Sequence, residues 1–184
     1  GYWSRGLGDV YKRQLYSLFF LTKRPPSHEH ALGSNINSLG VEPFGIGMGR
    51  IIVHLHGKPS DKRLSNMIDD YLSRLKSKVK LVTHNVKLSA FEYLENLPSD
   101  TILLDEIGKE MNSKQFSSLF QNWVIDSSDT NLAIGPADGF PKGHGRSSIS
   151  LSKMTFPHEL ASVLLVEQLY RANEIIKGTS YHRI

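Results

Sequence analysis

The end of the chain concentrates side chains that exchange protons or stabilise anions. Tyr181, His182 and Arg183 are consecutive and precede the last residue. A phenol, an imidazole and a guanidinium together suit acid–base chemistry and the stabilisation of a developing negative charge. A solvated terminus is the alternative, but a flexible terminus rarely needs an aromatic residue and two cationic groups together. We therefore expect this tail to carry chemistry.

A long apolar helix is predicted to position the tail. It runs from about His158 to Lys177 and begins after Pro157, a residue tolerated in a first helical turn. Nine of the thirteen residues from 160 to 172 are apolar. One face of a sheet does not cover a helix that is apolar nearly all round, so a second surface is required. A symmetric dimer would supply it.

Within this helix, Glu167 and Arg171 are four residues apart, so their side chains can pair. Two interpretations stay open. The pair neutralises two charges inside an interface, or it belongs to an active site.

The chain from Met48 onward alternates between strand and helix patterns. Strands are predicted at residues 50–56, 79–86, 101–104, 131–134 and 148–152, and helices after Asp61, at 91–97, at 113–125 and at the chain end. A polar loop is predicted at residues 105–109. This alternation indicates an α/β fold with a mostly parallel sheet flanked by helices.

Composition and charge exclude several classes of protein. The chain has 184 residues, a formal charge of +4 and no cysteine. The lack of cysteine excludes disulfides, cysteine zinc sites and thiol nucleophiles. Residues 48–184 contain 17 Lys and Arg against 15 Asp and Glu, a net +2 that permits an RNA partner without requiring one. A soluble cytoplasmic protein is expected.

Residues 1–47 are expected to lie outside the domain, which spans residues 48–184. They show no sustained periodicity, and residues 9–14 resemble a translated sequencing adaptor. We predict a non-native or disordered leader left by sequence assembly. A secretory signal is the alternative, with Lys12 and Arg13 before the apolar residues 15–21. That run is short for a signal core and too short to cross a bilayer, so no membrane partner is expected.

Two further groups of residues have weaker functional interpretations. His54 and His56 are predicted to project from the same strand face, as two metal ligands might, but no third ligand is evident and no metal is expected. Lysines at the start of the second strand would bind phosphate or keep a sheet edge soluble; they are Lys76, Lys78 and Lys80. Lys142 and Arg146 are better placed to meet a substrate phosphate.

Five segments, in order, carry a resemblance to a known family. They read Leu-Asp-Glu-Ile-Gly-Lys at 104–109, Ile-Gly-Pro-Ala-Asp-Gly-Phe at 134–140, Leu-Ser-Lys-Met-Thr-Phe-Pro-His at 151–158, Leu-Tyr-Arg-Ala at 169–172 and Tyr-His-Arg at 181–183. Together they resemble the large-subunit ribosomal RNA methyltransferase H family of the SPOUT class. The resemblance covers the chain from Met48 to its end.

The resemblance implies a fold, an assembly and a reaction. The expected fold is a small α/β domain of SPOUT type with a C-terminal trefoil knot, and the expected assembly is a homodimer. The implied reaction transfers a methyl group from S-adenosylmethionine to N3 of a pseudouridine in 23S ribosomal RNA, free or in the ribosome. A SPOUT methyltransferase acting on another RNA, such as transfer RNA, and a non-catalytic dimeric RNA-binding protein remain as alternatives.

The family match also implies site residues. The implied cofactor-binding residues lie in three loops: Leu104; Gly135, Pro136 and Gly139; and Ser152, Lys153, Met154, Thr155, Phe156 and Pro157. Small residues there would let the backbone approach the ligand closely. The implied catalytic residues are His158, Arg171, Tyr181, His182 and Arg183. Taken singly, the glycines also suit turns, and Leu104 and Met154 also suit a core.

One segment departs from the family pattern. Relatives usually have two adjacent glycines before Pro-Glu-Gly, whereas residues 135–139 here read Gly-Pro-Ala-Asp-Gly. Pro136 lacks the backbone N–H that a glycine would offer. Residues 140–146 are also shorter and richer in glycine than the small-residue helix that relatives have there. We expect a cofactor pocket of altered shape in a divergent lineage.

Overall fold

The computed structural model describes residues 49–182. The predicted leader, the predicted domain start at Met48 and the predicted catalytic residue Arg183 lie outside the described residues. Within the described range, no helix has the length and apolar character needed to cross a membrane.

Five strands and four helices follow one another along the chain. The strands are β1 (Ile51–His56), β2 (Val79–His84), β3 (Ile102–Glu110), β4 (Thr130–Ile134) and β5 (Ser148–Ser150). The helices are α1 (Lys62–Leu75), α2 (Ala90–Glu95), α3 (Ser113–Ile125) and α4 (His158–Lys177), with a short 3-10 turn at Lys76–Lys78. Each predicted element is present, and most boundaries agree within two residues.

The five strands form one sheet in the order β2-β1-β4-β3-β5. Every pair of neighbouring strands is parallel. The α/β prediction with a mostly parallel sheet is therefore confirmed. Since parallel strands all end on one side, the loops after β1 to β5 share one edge of the sheet, called here the carboxyl edge. Ligands bind at this edge in open α/β sheets.

Local side-chain chemistry explains where the helices begin. The Asp61 side chain accepts a hydrogen bond from the backbone N–H of Arg63 and caps α1. Capping boxes open the next two helices, formed by Ser89 with Glu92 in α2 and by Asn112 with Gln115 in α3. Helix α4 ends at Gly178, whose left-handed backbone suits glycine.

Each face of the sheet packs against its own helices and its own hydrophobic core. One face packs Ile51, Val53 and Leu55 of β1 into the main core with α1, α3 and α4. The opposite face carries α2 and a smaller core around Tyr93 and Leu103. His54 and His56 of β1 are buried too, and because side chains alternate along a strand they point to this second face.

Strand β3 is longer than predicted. Both Leu104 and Lys109 pair with Ile149 of β5, so the residues between them form an irregular excursion and the strand resumes to Glu110. A Cβ added at Gly108 would lie 2.6 Å from the carbonyl carbon of Ile149, so only glycine fits there. Residues 105–109 were predicted as a loop because they are mostly polar. Their pairing with β5 joins distant parts of the chain and leaves no local sequence pattern.

The apolar surface of α4 is also covered differently from the prediction. Helices α1 and α3 both pack against α4 and join it in the main core, so a single chain buries Val163, Leu165 and Leu169. Among the apolar residues of α4, Leu160 and Ile176 remain exposed, at 37% and 43%. Two flanking helices thus supply much of the second surface that the sequence assigned to a dimer partner.

Candidate functional site

The three predicted cofactor segments lie side by side at the carboxyl edge. Leu104 pairs with Ile134, so the excursion after Leu104 and the loop that begins at Gly135 leave neighbouring strands at the same level. Leu104 also pairs with Ile149 of β5, whose end leads into Ser152. The sheet register therefore brings together the segments that the family match singled out.

Two polar contacts connect these segments. The Thr155 hydroxyl donates a hydrogen bond to Glu106 Oε2 at 2.7 Å, which joins the first and third segments. His144 Nε2 lies 3.9 Å from Asp105 Oδ2, which connects the first segment with the loop after β4. Asp105, Glu106 and His144 were not predicted as site residues. Their signal was the run of polar residues directly after a buried strand, which was interpreted as a loop only.

The loop after β4 is built as a tight turn. Gly139 N–H donates to the Pro136 carbonyl at 2.9 Å, and Gly139 has φ of +77°. A Cβ at Gly139 would meet no atom within 4 Å, whereas one at Gly135 would lie 3.1 Å from the Phe140 ring. Pro136, which departs from the family pattern, thus accepts the hydrogen bond that closes this turn. Open space adjoins Gly139.

The third segment is ordered by its own serines. Ser150 Oγ donates to the Ser152 carbonyl at 2.9 Å, and Ser152 Oγ accepts from Met154 N–H at 3.0 Å. The Met154 side chain is 71% exposed next to Thr155, and Ile107 is 84% exposed next to Glu106. Two exposed apolar side chains thus flank the Thr155–Glu106 contact.

Two hollows adjoin the third segment on the side of α3. One, of about 400 Å³, is lined by residues that include Phe116, Ile149, Phe156 and Leu164. The other, of about 650 Å³, includes Asn112, Ser152 and Lys153. Neither is lined by Leu104, Gly135, Pro136 or Gly139. The three cofactor segments are therefore adjacent, but in a single chain they do not jointly enclose these hollows.

The tail folds back onto α4. Tyr181 Oη donates to Glu167 Oε1 at 3.1 Å, and Arg171 forms an ion pair with the same carboxylate. The Arg171 guanidinium carbon lies 5.0 Å from the Tyr181 ring centroid, and the ring also packs edge-on against Tyr170. Burial raises the pKa of Tyr181, and the neighbouring Tyr71 and Glu167 raise it further. The predicted residues Arg171 and Tyr181 are therefore brought together.

His182 follows Tyr181, and its Nδ1 atom is enclosed without a hydrogen-bond partner among the described residues. An enclosed ring nitrogen without a partner is uncommon in folded proteins. It makes His182 a candidate for contact with a group from outside the described chain.

His158 occupies the opposite end of α4. The next residue, Glu159, accepts hydrogen bonds from the backbone and hydroxyl of Ser60 at 2.8 and 2.7 Å, which joins the start of α4 to the loop before α1. His158 and Arg171 are thirteen positions apart in a continuous helix, which corresponds to about 20 Å along its axis. Within one chain, His158 is near the cofactor segments, and Arg171 and Tyr181 are not.

The histidines on β1 belong to a cluster that the sequence did not show. His54 Nδ1 lies 2.9 Å from Nε2 of His84 on β2, and His54 Nε2 lies 3.0 Å from Asn131 Oδ1. His56 Nε2 contacts the Leu88 carbonyl at 2.8 Å. His54 and His56 do share a face, and His84 is a third imidazole beside them. The ring nitrogens of His54 and His56 contact His84, Asn131 and the Leu88 carbonyl. The described residues contain no cluster of three or more side chains arranged to bind a metal.

Arg146 has a different contact from the one predicted. Its guanidinium donates to the carbonyls of Pro98 and Leu94, both at 2.8 Å, and so fixes the loop after β4 to the end of α2. The sequence did not show these acceptors, because they lie 48 and 52 positions from Arg146. The interpretation of Arg146 as a phosphate ligand stays a prediction. Lys142 remains exposed. Among the lysines of the second strand, Lys78 donates to Asn173 of α4 at 2.8 Å.

Comparison with known proteins agrees with this arrangement. The family model described as a predicted SPOUT methyltransferase matches residues 50–182. A protein of Coprothermobacter proteolyticus named ribosomal RNA large subunit methyltransferase H is 36% identical over 131 residues, which cover 69% of this chain and 94% of the relative. The protein of that name from Protochlamydia amoebophila is 33% identical over 132 residues, with the same coverage of both chains.

A third relative of the same name, from Maridesulfovibrio salexigens, is 47% identical over 92 residues, which cover 47% of this chain and 59% of that protein. The matched family region includes every described residue of the three loop segments and of α4. The chain therefore belongs to the SPOUT methyltransferase family and is of the ribosomal RNA large subunit methyltransferase H type.

Proposed function

We propose that the protein uses S-adenosylmethionine to methylate N3 of a pseudouridine in 23S ribosomal RNA. The observation that carries the proposal is the convergence of the three loop segments at the carboxyl edge, fixed by the Thr155–Glu106 contact. The names of the relatives, which are ribosomal RNA methyltransferases, support the choice of RNA. Synthesis of ribosomes would place the reaction in the cytoplasm.

The cofactor would be held by the three segments. When bound, S-adenosylmethionine supplies a methyl group on a positively charged sulfonium. Leu104, Met154 and Phe156 would offer apolar contacts. The loop of Gly135, Pro136 and Gly139 would offer its backbone, with open space beside Gly139. Ser152, Lys153, Thr155 and Pro157 complete the third segment. The polar atoms of Ser152 and Thr155 are already used to shape the loop, so their role is to hold its conformation.

Methylation of an imide nitrogen requires its proton to leave before or during attack on the methyl group. The raised pKa of Tyr181 keeps its phenol protonated, so Tyr181 acts as a hydrogen-bond donor. His158 and His182 are the imidazoles available as a base. Arg171, held by Glu167, and Arg183 are the guanidinium groups that would stabilise the developing anion.

We further propose that the working unit is a homodimer in which the tail of one chain completes the pocket of its partner. The support is the separation of about 20 Å along α4 between His158 and Arg171, which one chain does not bridge. Leu160, Leu164, Glu167 and Arg171 lie on one stripe of α4 at helical spacing, and Leu160 is exposed. This stripe is the proposed dimer surface. A C-terminal trefoil knot is proposed on family grounds alone.

Two measurements on the full chain test the reaction. Calorimetry with S-adenosylmethionine should give measurable heat, and no binding would favour a non-catalytic RNA-binding protein. Ribosomes and transfer RNA that lack native methylation, prepared with and without pseudouridine, should then be offered with labelled cofactor. We expect label only at a pseudouridine of 23S RNA. Label confined to transfer RNA would overturn the proposed substrate.

Subunit complementation tests the shared site. Gly139→Val should disable the cofactor loop because its φ is left-handed, and Tyr181→Ala should disable the tail. Mixed dimers of these two inactive variants contain one intact site each. Random mixing should therefore restore about a quarter of wild-type activity. Gly143→Val, which has a similar left-handed φ outside the cofactor segments, is the matched control and should stay active. Inactivity of the mixture would exclude a site shared between chains.

A further inference from the structure

Two large apolar side chains that are five positions apart in the sequence are exposed near the carboxyl edge, away from the cofactor segments. Val86, in the loop after β2, is 67% exposed, and Phe91, in the first turn of α2, is 60% exposed. Exposed lysines accompany them: Lys87 is adjacent to Val86, and Lys58 lies in the loop after β1. An aromatic ring next to cationic groups is a combination that binds unpaired nucleotides.

The loop that presents these side chains is held firmly. Lys87 N–H donates to Asn85 Oδ1 at 3.0 Å, and Leu88 N–H donates to the Asn85 carbonyl at 3.2 Å. The Leu88 carbonyl contacts His56 Nε2 of β1 at 2.8 Å. These bonds fix the surface before any ligand arrives, and a fixed surface loses less conformational entropy on binding.

The loop after β1 packs against the same surface. Gly57 N–H donates to the His84 carbonyl at 3.2 Å, and a Cβ at Gly57 would lie 3.0 Å from Val86 Cγ2. Gly57 has φ of +84°, a backbone conformation that favours glycine. Lys58 follows directly. Contact between the two loops therefore brings Lys58 to the side of Val86.

The surface carries charges of both signs. The nearest acidic residue of α2, Glu92, accepts two hydrogen bonds from Ser89, which lower its pKa and occupy its carboxylate. Glu95 is exposed one turn further along α2. A lowered pKa keeps Glu92 ionised, so phosphate groups would contact Lys58 and Lys87 on the loop side of the surface, next to Val86.

The position of the surface also favours the RNA substrate as its occupant. Strand β2 is two places from β4 in the sheet order, so its loop is roughly 10 Å from the Gly135 loop. The surface belongs to the sheet face that carries α2, whereas the proposed dimer surface on α4 belongs to the opposite face. It would therefore remain open in the dimer.

We propose that Lys58, Val86, Lys87 and Phe91 form a nucleotide platform, on which an unpaired base of the RNA substrate stacks against Phe91 while its phosphates contact the two lysines. The platform rests on the proposed function, because it assigns that reaction's RNA a second contact beside the target. It would select RNA whose target nucleotide has an unpaired neighbour.

Fluorescence anisotropy with a labelled single-stranded RNA dodecamer, and with the same RNA in a duplex, tests the platform on the full chain. Phe91→Ala should weaken single-strand binding about tenfold, and Phe91→Tyr should restore it. Each of Lys58→Ala and Lys87→Ala should reduce the salt dependence of binding by about one counterion. Ile125→Ala is the matched control, because Ile125 is also 67% exposed but ends α3 at the opposite edge of the sheet.

The outcomes separate the platform from the proposed function. Equal single-strand binding by Phe91→Ala and wild type, or no single-strand binding by wild type, would overturn the platform. Loss of ribosome binding with unchanged dodecamer binding would assign the surface to a protein partner and overturn it too. Phe91-dependent RNA binding without methylation of any RNA would support the platform and defeat the proposed reaction. Cofactor affinity should be unchanged in every platform variant.

Discussion

Tyr181 donates a hydrogen bond to Glu167, with 3.1 Å between its Oη and the carboxylate Oε1, and this contact attaches the tail to α4. The same carboxylate pairs with Arg171, so one acid holds two proposed catalytic groups. The interpretation of Glu167 and Arg171 as a pair is confirmed. Its place in an interface or an active site stays a prediction.

Removal of the Tyr181 hydroxyl should weaken this attachment. Tyr181→Phe keeps the ring packing against Tyr170 but leaves Glu167 with one donor fewer, so we expect a loss of about 1–2 kcal/mol in the free energy of unfolding. Urea denaturation measures it. Tyr93→Phe is the matched control, because the Tyr93 hydroxyl is buried and has no hydrogen-bond partner within residues 49–182. That variant should be as stable as wild type or more stable, and equal losses in both variants would contradict the assignment.

The contact between the first and third segments should matter for cofactor binding. Thr155→Val preserves the shape of the side chain but removes the donor to Glu106. We expect about fivefold weaker binding of S-adenosylmethionine, the equivalent of one ordinary hydrogen bond, measured by calorimetry. Ser118→Ala removes a comparable exposed hydroxyl contact within α3 and should leave binding unchanged. Unaltered affinity in Thr155→Val would separate this contact from the pocket.

Arg146 should behave as a structural residue. Arg146→Ala removes both the charge and the fork that reaches Leu94 and Pro98, so we expect the free energy of unfolding to fall by about 1–3 kcal/mol. The salt dependence of RNA binding should not change. Lys142→Ala is the comparison, with lower salt dependence and unaltered stability. Lower salt dependence with unaltered stability in Arg146→Ala would instead support Arg146 as a phosphate ligand.

The histidine cluster should make stability depend on pH. Burial lowers the pKa of His84 below its ordinary 6.5, and the neighbouring His54 and His56 lower it further. The folded state therefore binds this proton less readily than the unfolded state, and stability should fall as pH drops below about 6.5. Denaturation at pH 7.5, 6.5 and 5.5 measures the slope. His84→Gln should flatten it, and an unchanged slope would assign the pH dependence to other groups.

The sequence predicted elements that depend on local pattern and missed relationships that depend on register. Helical spacing in α4 and the alternation of strands and helices were sufficient for the parallel α/β sheet. The approach of Gly108 to Ile149, the meeting of His54 with His84 and the reach of Arg146 to Leu94 each join residues at least thirty positions apart. The family match selected the cofactor segments, while the contacts that join them came from residues it did not single out.

The length of α4 has a consequence for how the protein would work at low abundance. If the cofactor segments of one chain need the tail of another, dilution below the dissociation constant of the dimer would stop turnover while each subunit stays folded. Specific activity would then rise in proportion to subunit concentration in dilute solution, and total activity with its square, until association is complete.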